Sequence, residues 1–135
     1  MRIGRVIIED RVMAKKILLI EDEDLLSDMY IDKLKKAKFK VFSAFDAEDG
    51  LRLAVEEKPD LIILDIILPK KTGLEFLEEM RCNKETSSLS VVVLSNYDNP
   101  KARKKARQLG ALDYLIKTDF TPSALIKRIK QYIAV

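Results

Sequence analysis

Five short apolar stretches, each followed by the periodic pattern of an amphipathic helix, constrain the fold of this chain more than any other feature. The apolar stretches are residues 17–20, 40–45, 61–64, 89–94 and 112–116. Short strands that alternate strictly with helices are typical of a parallel sheet with helices on both faces. We therefore predict an α/β three-layer sandwich built from five βα units.

The strand order follows from this repeat. For five βα units the flavodoxin-like order 2-1-3-4-5 is the natural arrangement, with the ligand site where the first and third strands meet. A mononucleotide-binding Rossmann half is the alternative, but that fold needs a glycine-rich phosphate loop after its first strand. Here the first strand is followed by Glu21, Asp22, Glu23 and Asp24. The sequence therefore favours the flavodoxin-like (βα)5 fold.

Helix-start signals support the same division of the chain. The helices are predicted at about residues 25–37, 46–58, 72–83, 99–109 and from 121 onward. Asp46, Asn99 and Thr121 are N-cap residues in this prediction, and proline follows two of them at the first helical position. Residues 15–135 form the predicted domain. Residues 1–14 form an N-terminal extension that is either disordered or an added edge strand.

Composition excludes several classes of function. The net charge is +3, from 25 basic and 22 acidic residues, which is too balanced to indicate a nucleic-acid-binding protein. Histidine is absent, so the chain has no histidine base, metal ligand or phosphodonor of its own. No apolar run is long enough to span a membrane. Cys82 is the only cysteine, so an internal disulfide is impossible, and we expect a cytoplasmic location.

Polar residues stand at the carboxyl ends of four of the five predicted strands. Glu21 and Asp22 follow the first strand, Asp65 the third, Ser95 the fourth and Lys117 the fifth. In the predicted strand order, the third strand lies between the first and the fourth. We therefore expect these side chains to converge on Asp65 at the edge where α/β sheets bind ligands.

The chemistry of this set points to phosphoryl transfer. Three carboxylates repel one another, and their ionised forms persist together only with a cation among them. An all-oxygen cluster suits Mg²⁺ better than Zn²⁺. The cation and an ammonium group such as that of Lys117 neutralise the oxygens of a phosphoryl group. A carboxylate such as Asp65 held in this way can act as a nucleophile toward phosphorus.

These residues resemble the receiver domain of two-component response regulators. The resemblance covers about residues 15–135. It rests on four segments: LLIED at 18–22, LDIILP at 64–69 with Gly73, LS at 94–95, and GALDYLIK at 110–117. It implies a stand-alone receiver of the chemotaxis type that controls a downstream protein, and it implies no independent turnover enzyme.

The resemblance also implies roles for individual residues. Asp65 would accept a phosphoryl group from the phosphohistidine of a histidine kinase or phosphotransfer protein, and phosphodonors would also modify it directly with Mg²⁺. The metal ligands would be Glu21, Asp22, Asp65 and the carbonyl of Ile67. Lys117 and Ser95 would contact the phosphoryl oxygens.

Switching would involve Ser95 and Tyr114, with Tyr114 moving inward on activation. The output surface, formed by the fourth helix, fifth strand and fifth helix, would bind a protein target and would also offer a homodimer interface.

Two departures from the family pattern bear on function. The family usually has a proline after the lysine, joined by a cis bond, and this chain has Thr118. A cis bond before a non-proline residue costs about 2.5–4 kcal/mol, so we expect this loop to differ locally or to store strain. Ile67 and Tyr97 stand two residues after Asp65 and Ser95, where family members line the approach of hydrolytic water. We hypothesise that they slow self-dephosphorylation.

The fourth predicted helix has an unusual composition. Its inward positions are mostly Ala102, Ala106 and Leu109, which bury little area at about 25 cal/mol per Å². We expect a loosely held helix, as suits an element that shifts on activation. Its outer face is either a solvated surface or a docking surface for an acidic partner. The basic residues of that face are Lys101, Arg103, Lys104, Lys105 and Arg107.

Two other functions remain open. An aspartate-nucleophile phosphohydrolase would usually carry a second aspartate two residues after the nucleophile, but that position is Ile67 and no cap domain is present. A degenerate receiver that only binds partners is the other alternative. It is disfavoured because every chemical position of the motif is filled.

Overall fold

Five parallel strands form the centre of the structure, a computed structural model that describes residues 14–133. The strands are β1 (Lys16–Ile20), β2 (Lys40–Ala44), β3 (Leu61–Leu64), β4 (Val91–Ser95) and β5 (Asp113–Ile116). The helices are α1 (Asp24–Lys36), α2 (Ala47–Glu57), α3 (Gly73–Cys82), α4 (Pro100–Gln108) and α5 (Pro122–Tyr132). A 3₁₀ turn spans Lys117–Asp119. Apart from Ala14, the predicted N-terminal extension lies outside the described residues.

The sheet has the order β2-β1-β3-β4-β5, and every strand pair is parallel. This confirms the flavodoxin-like (βα)5 prediction. The order reverses between β1 and β3, so the ends of these two strands border the crevice in which such folds bind ligands. All four residues of β3 are buried, because helices cover this central strand on both faces.

Two apolar clusters make the domain a three-layer sandwich. On one face of the sheet, Leu18, Ile62 and Val93 pack against α2, α3 and α4. On the other face, Leu19 and Ile63 pack against α1 and α5. Alternate residues of a strand point to opposite faces, and for this reason neighbours in β1 and β3 belong to different clusters.

The predicted helix caps are present. The carboxylate of Asp46 accepts from the amide of Asp49, the side chain of Asn99 from two amides of α4, and the hydroxyl of Thr121 from the amide of Ala124. Predicted and observed bounds differ by two residues at most. The largest difference is at β4, which begins at Val91 because the amide of Leu89 closes a turn with Thr86 at 3.1 Å.

Helix α4 has few apolar contacts, as predicted. Its only buried residues are Ala102 and Ala106. The guanidinium of Arg81, on α3, holds the end of α4 by donating to the carbonyl of Leu109 at 2.7 Å and to that of Gly110 at 3.3 Å. The C-terminal end of α4 is therefore held by polar contacts as well as by apolar packing.

Within residues 14–133, none of the helices combines the length and the apolar character that crossing a membrane requires.

Candidate functional site

The site is centred on a buried ion cluster at the carboxyl ends of β1, β3 and β5. The ammonium of Lys117 lies 2.6 Å from the Oε1 atom of Glu21 and 2.8 Å from the Oδ2 atom of Asp65. All three side chains are buried, at 6%, 2% and 6% exposure respectively. The strand order therefore brings together three of the residues predicted from the sequence, and Lys117 is their common contact.

Burial and charge act in opposite directions on this cluster. Burial raises the pKa of Glu21, and the hydrogen bond from Lys117 offsets only part of that effect. Burial alone would lower the pKa of Lys117, but the hydrogen bonds from its ammonium to Asp65 and Glu21 raise that pKa above its ordinary value. The ammonium therefore remains charged at neutral pH and compensates the carboxylates around it.

Glu21, Asp22 and Asp65 form an acidic cluster that fits a metal ion. One carboxylate oxygen from each residue lies within 4.8 Å of the others. Asp22 is exposed whereas Glu21 and Asp65 are buried, so the cluster opens to solvent on one side. Such a set, with oxygen ligands and room for water, suits Mg²⁺.

The cluster faces an open cavity of about 460 Å³. Asp65, Ser95 and Lys117 line this cavity, together with Ile67 and Tyr97 at its mouth. Residues Ile67 and Tyr97 are 55% and 41% exposed. The two residues expected to hinder water thus border the same space as Asp65.

Each oxygen of Asp65 has a hydrogen-bond donor. Oδ2 accepts from Lys117, and Oδ1 accepts from the backbone amide of Ile67 at 3.2 Å. Two donors on one carboxylate fix the direction of its oxygens.

The close approach of Gly73 explains the glycine that follows Asp65 in the sequence motif. A Cβ atom at position 73 would lie 2.2 Å from the carbonyl oxygen of Asp65 and 2.8 Å from the Cα atom of Ile66. The amide of Gly73 donates to the carbonyl of Ile66 at 2.8 Å. Only a residue without a side chain lets α3 begin this close to the Asp65 backbone.

Ser95 and Tyr114 both form hydrogen bonds with the backbone of Tyr97. Ser95 is fully buried, and its hydroxyl oxygen accepts from the amide of Tyr97 at 3.2 Å. The hydroxyl of Tyr114 donates to the carbonyl of Tyr97, and the guanidinium of Arg103 lies 4.9 Å from the centre of the Tyr114 ring. Burial raises the pKa of Tyr114 to about 12. Ser95 therefore lines the cavity of Asp65, whereas Tyr114 lies outside its lining and reaches it through Tyr97.

The segment after Lys117 has its own geometry, in line with the expected local difference. All peptide bonds in residues 14–133 are trans, and Thr118 lies within the 3₁₀ turn. The amide of Thr118 donates to the Oδ1 atom of Asn96 at 3.1 Å. Sequence reasoning missed Asn96. The available signal was the missing proline, because a non-proline residue leaves an amide that needs an acceptor.

Comparison with known proteins gives a consistent result. The sequence pattern of the response regulator receiver domain matches residues 17–130. The chemotaxis protein CheY4 of Vibrio cholerae is 26% identical, with 89% of this chain and 99% of that chain covered and a TM-score of 0.81. A CheY-like response regulator receiver domain protein of Methanospirillum hungatei is 26% identical, with 87% of this chain and 92% of that chain covered and a TM-score of 0.80. The BeF3-activated N-terminal receiver domain of Klebsiella pneumoniae RstA is 26% identical, with 89% of this chain and 99% of that chain covered and a TM-score of 0.77.

The strand order and the cluster at its switch point define a CheY-like α/β domain. The chain belongs to the response regulator receiver domain family, and the resemblance found in the sequence is confirmed. Receiver domains typically bind Mg²⁺ at an acidic pocket, and Glu21, Asp22 and Asp65 form an acidic cluster of this kind.

Proposed function

We propose that this protein is a phosphorylation-controlled interaction switch in which Asp65 accepts the phosphoryl group. The observation that carries the proposal is the environment of Asp65. Its carboxylate is buried, lies 2.8 Å from the Lys117 ammonium, and belongs to an acidic cluster at the open end of the sheet. A nucleophilic carboxylate beside fixed positive charge is what transfer of a phosphoryl group requires.

The proposed donor is a phosphohistidine on a partner kinase or phosphotransfer protein, since this chain has no histidine. An oxygen of Asp65 attacks the phosphorus atom, and a P–O bond forms as the P–N bond of the donor breaks. The bonding electrons pass to the imidazole nitrogen, which then takes a proton from solvent. The product is an acyl phosphate on Asp65.

Glu21, Asp22 and Asp65, with the carbonyl of Ile67, would hold Mg²⁺, which when bound neutralises charge that builds up on the phosphoryl oxygens. Lys117 would transfer one of its hydrogen bonds from Asp65 to a phosphoryl oxygen. The Ser95 oxygen already accepts from Tyr97, so its hydroxyl hydrogen is free to bind a second phosphoryl oxygen.

The proposed output surface consists of α4, β5 and α5. Tyr114 links this surface to the loop that follows Ser95, because its hydroxyl donates to the carbonyl of Tyr97. The weak apolar anchoring of α4 supports a shift of this helix when the Ser95 loop moves.

The charge of this surface indicates the chemistry of its protein target. Helices α4 and α5 contain no acidic residue. A target with an acidic docking segment fits such a surface best. A homodimer through the same surface is the second assembly we predict, and because it would bring like charges together, salt should favour it. The basic residues are Lys101, Arg103, Lys104, Lys105, Arg107, Lys127, Arg128 and Lys130.

The phosphohydrolase alternative has little support. Ile67 occupies the position where such an enzyme needs an acid or base, and its side chain cannot transfer a proton. The partner-binding receiver without phosphorylation remains a distinguishable outcome of the experiment below.

The proposal is tested by incubating the protein with acetyl phosphate and Mg²⁺ and measuring its intact mass. We expect one phosphoryl adduct on the natural protein and none on Asp65→Asn. The matched control is Asp60→Asn, at the opposite end of β3, where the carboxylate accepts from the Lys16 amide and should not affect the adduct.

Three results would contradict the proposal. An adduct that persists in Asp65→Asn places the phosphoryl group elsewhere. Absence of any adduct indicates a receiver that only binds partners, and turnover of generic phosphate esters indicates a hydrolase. Once the adduct is formed, its loss after donor removal measures self-dephosphorylation. We expect a long-lived phosphoaspartate because Ile67 and Tyr97 border the cavity, and loss within seconds would exclude that screening.

A further inference from the structure

A hydrogen bond between Asn96 and Thr118 joins the two backbone segments that border Asp65. The amide of Thr118 donates to the Oδ1 atom of Asn96 at 3.1 Å. Asn96 directly follows Ser95 at the end of β4, and Thr118 directly follows Lys117 at the end of β5. The bond thus ties the segment that carries the buried hydroxyl to the segment that carries the buried ammonium.

This cross-link depends on the residue types at both positions. A proline at position 118 has no amide hydrogen and could not donate to Asn96. A residue without a side-chain acceptor at position 96 would leave the Thr118 amide to solvent. With Oδ1 engaged by Thr118, the Asn96 side chain is held in one orientation at the end of β4.

Asn96 also stands where two cavities meet. It lines the cavity of about 460 Å³ that contains Asp65, and it lines a neighbouring cavity of about 280 Å³ between α1 and α5. Lys117 is the other residue that lines both, and Thr118 lines the second. The Asn96–Thr118 bond is exposed to solvent and therefore lies at the surface where the two cavities adjoin.

We propose that Asn96 is a positioning residue that acts through the Thr118 amide. The cross-link keeps the Ser95 and Lys117 segments at a fixed separation, and so keeps the Ser95 hydroxyl and the Lys117 ammonium on the phosphoryl oxygens. This inference rests on the proposed phosphorylation of Asp65, and it names two further residues that affect the lifetime of the phosphoryl group.

The test compares the lifetimes of phosphorylated Asp65 in four variants. Asn96→Ala removes the acceptor, Thr118→Pro removes the donor, and the double variant removes both. Thr118→Ala is the matched control, because it loses the side chain and keeps the amide hydrogen. Each protein is phosphorylated with acetyl phosphate and Mg²⁺, the donor is removed, and the adduct is followed by intact mass.

We expect lifetimes about two- to tenfold shorter in Asn96→Ala and in Thr118→Pro, as the loss of one hydrogen bond predicts. Thr118→Ala should keep the natural lifetime. In the double variant, the lifetime of phosphorylated Asp65 should equal that of the more affected single variant, because both substitutions break the same bond. Melting temperatures of Asn96→Ala and Thr118→Ala should stay close to that of the natural protein, which separates positioning from general destabilisation.

Hydrogen exchange at the Thr118 amide provides a readout that needs no phosphorylation. Exchange should be faster in Asn96→Ala than in the natural protein, since the acceptor is gone. Unchanged exchange would overturn the cross-link itself.

Several lifetime results would also overturn the inference. These are an unchanged lifetime in Asn96→Ala or Thr118→Pro, a shortened lifetime in Thr118→Ala, and additive effects in the double variant. Failure of the natural protein to accept phosphate at all would instead remove the proposed function. The exchange measurement would then test the cross-link alone.

Discussion

Replacement of Lys117 by methionine tests whether one ammonium compensates the buried carboxylates of the site. The substitution keeps an unbranched side chain of similar length, so the packing of the stem is largely retained. Glu21 and Asp65 would then face each other in the interior without the cation that now lies 2.6 and 2.8 Å away.

The expected loss of stability is large. Removal of one partner from a buried ion pair costs about 3–5 kcal/mol, because the remaining charge is left without compensation. The total stability of a domain is about 5–15 kcal/mol. For a domain of this size the loss corresponds to a melting temperature lower by about 10–25 °C. At 2% and 6% exposure, solvent screens the carboxylates of Glu21 and Asp65 very little.

Chemical and thermal unfolding at neutral pH without divalent cations measure this loss. The control is the double variant Asp65→Asn with Lys117→Met. It removes one of the two uncompensated carboxylates and should therefore be more stable than Lys117→Met alone. Added Mg²⁺ should stabilise Lys117→Met more than the double variant, because the double variant lacks one carboxylate of the acidic cluster.

Two results would refute this reasoning. If Lys117→Met without Mg²⁺ were within about 1 kcal/mol of the natural protein, the ammonium would not be the compensating charge of the site. A double variant less stable than Lys117→Met would contradict the same argument, because removing a repelling carboxylate would then have cost stability.

Two further predictions follow from the backbone and the titration of the site. Gly73→Ala should destabilise the protein by about 1–3 kcal/mol and slow phosphorylation of Asp65, because the new Cβ atom meets backbone. Gly50→Ala, whose Cβ atom would meet the flexible end of the Ile20 side chain, is the milder control in denaturant unfolding. For Glu21, a pKa raised above 4.5 means that the native state holds this proton more firmly than the unfolded state. The stability that Glu21 contributes is therefore complete below its ordinary pKa and is lost as the pH rises through its pKa in the folded protein. Between these two pKa values, the free energy of unfolding of the natural protein should fall relative to that of Glu21→Gln. A constant difference between the two proteins across that range would contradict the prediction.

The order of elements could be predicted from the sequence because it depends on short-range patterns. Four consecutive apolar residues at Leu61–Leu64 indicate a strand buried on both faces, and the N-caps at Asp46 and Thr121 locate helix starts within a residue. Alternation of strands and helices restricts the sheet to very few orders. The convergence of Asp65, Ser95 and Lys117 followed from that order without any knowledge of side-chain positions.

How these groups meet depends on contacts between residues far apart in the sequence. Lys117 contacts Asp65 across 52 positions of sequence, and Thr118 contacts Asn96 across 22. Such contacts depend on loop backbones and on rotamers set by packing, and local residue patterns carry little information about either. The same holds for the approach of Gly73 to the Asp65 carbonyl and for the contact of Arg81 with the end of α4. Residue patterns along the chain were enough to identify which chemical groups stand at the open edge of the sheet. Packing determined which of them form ion pairs and hydrogen bonds, because those interactions depend on distances shorter than the spacing between residues.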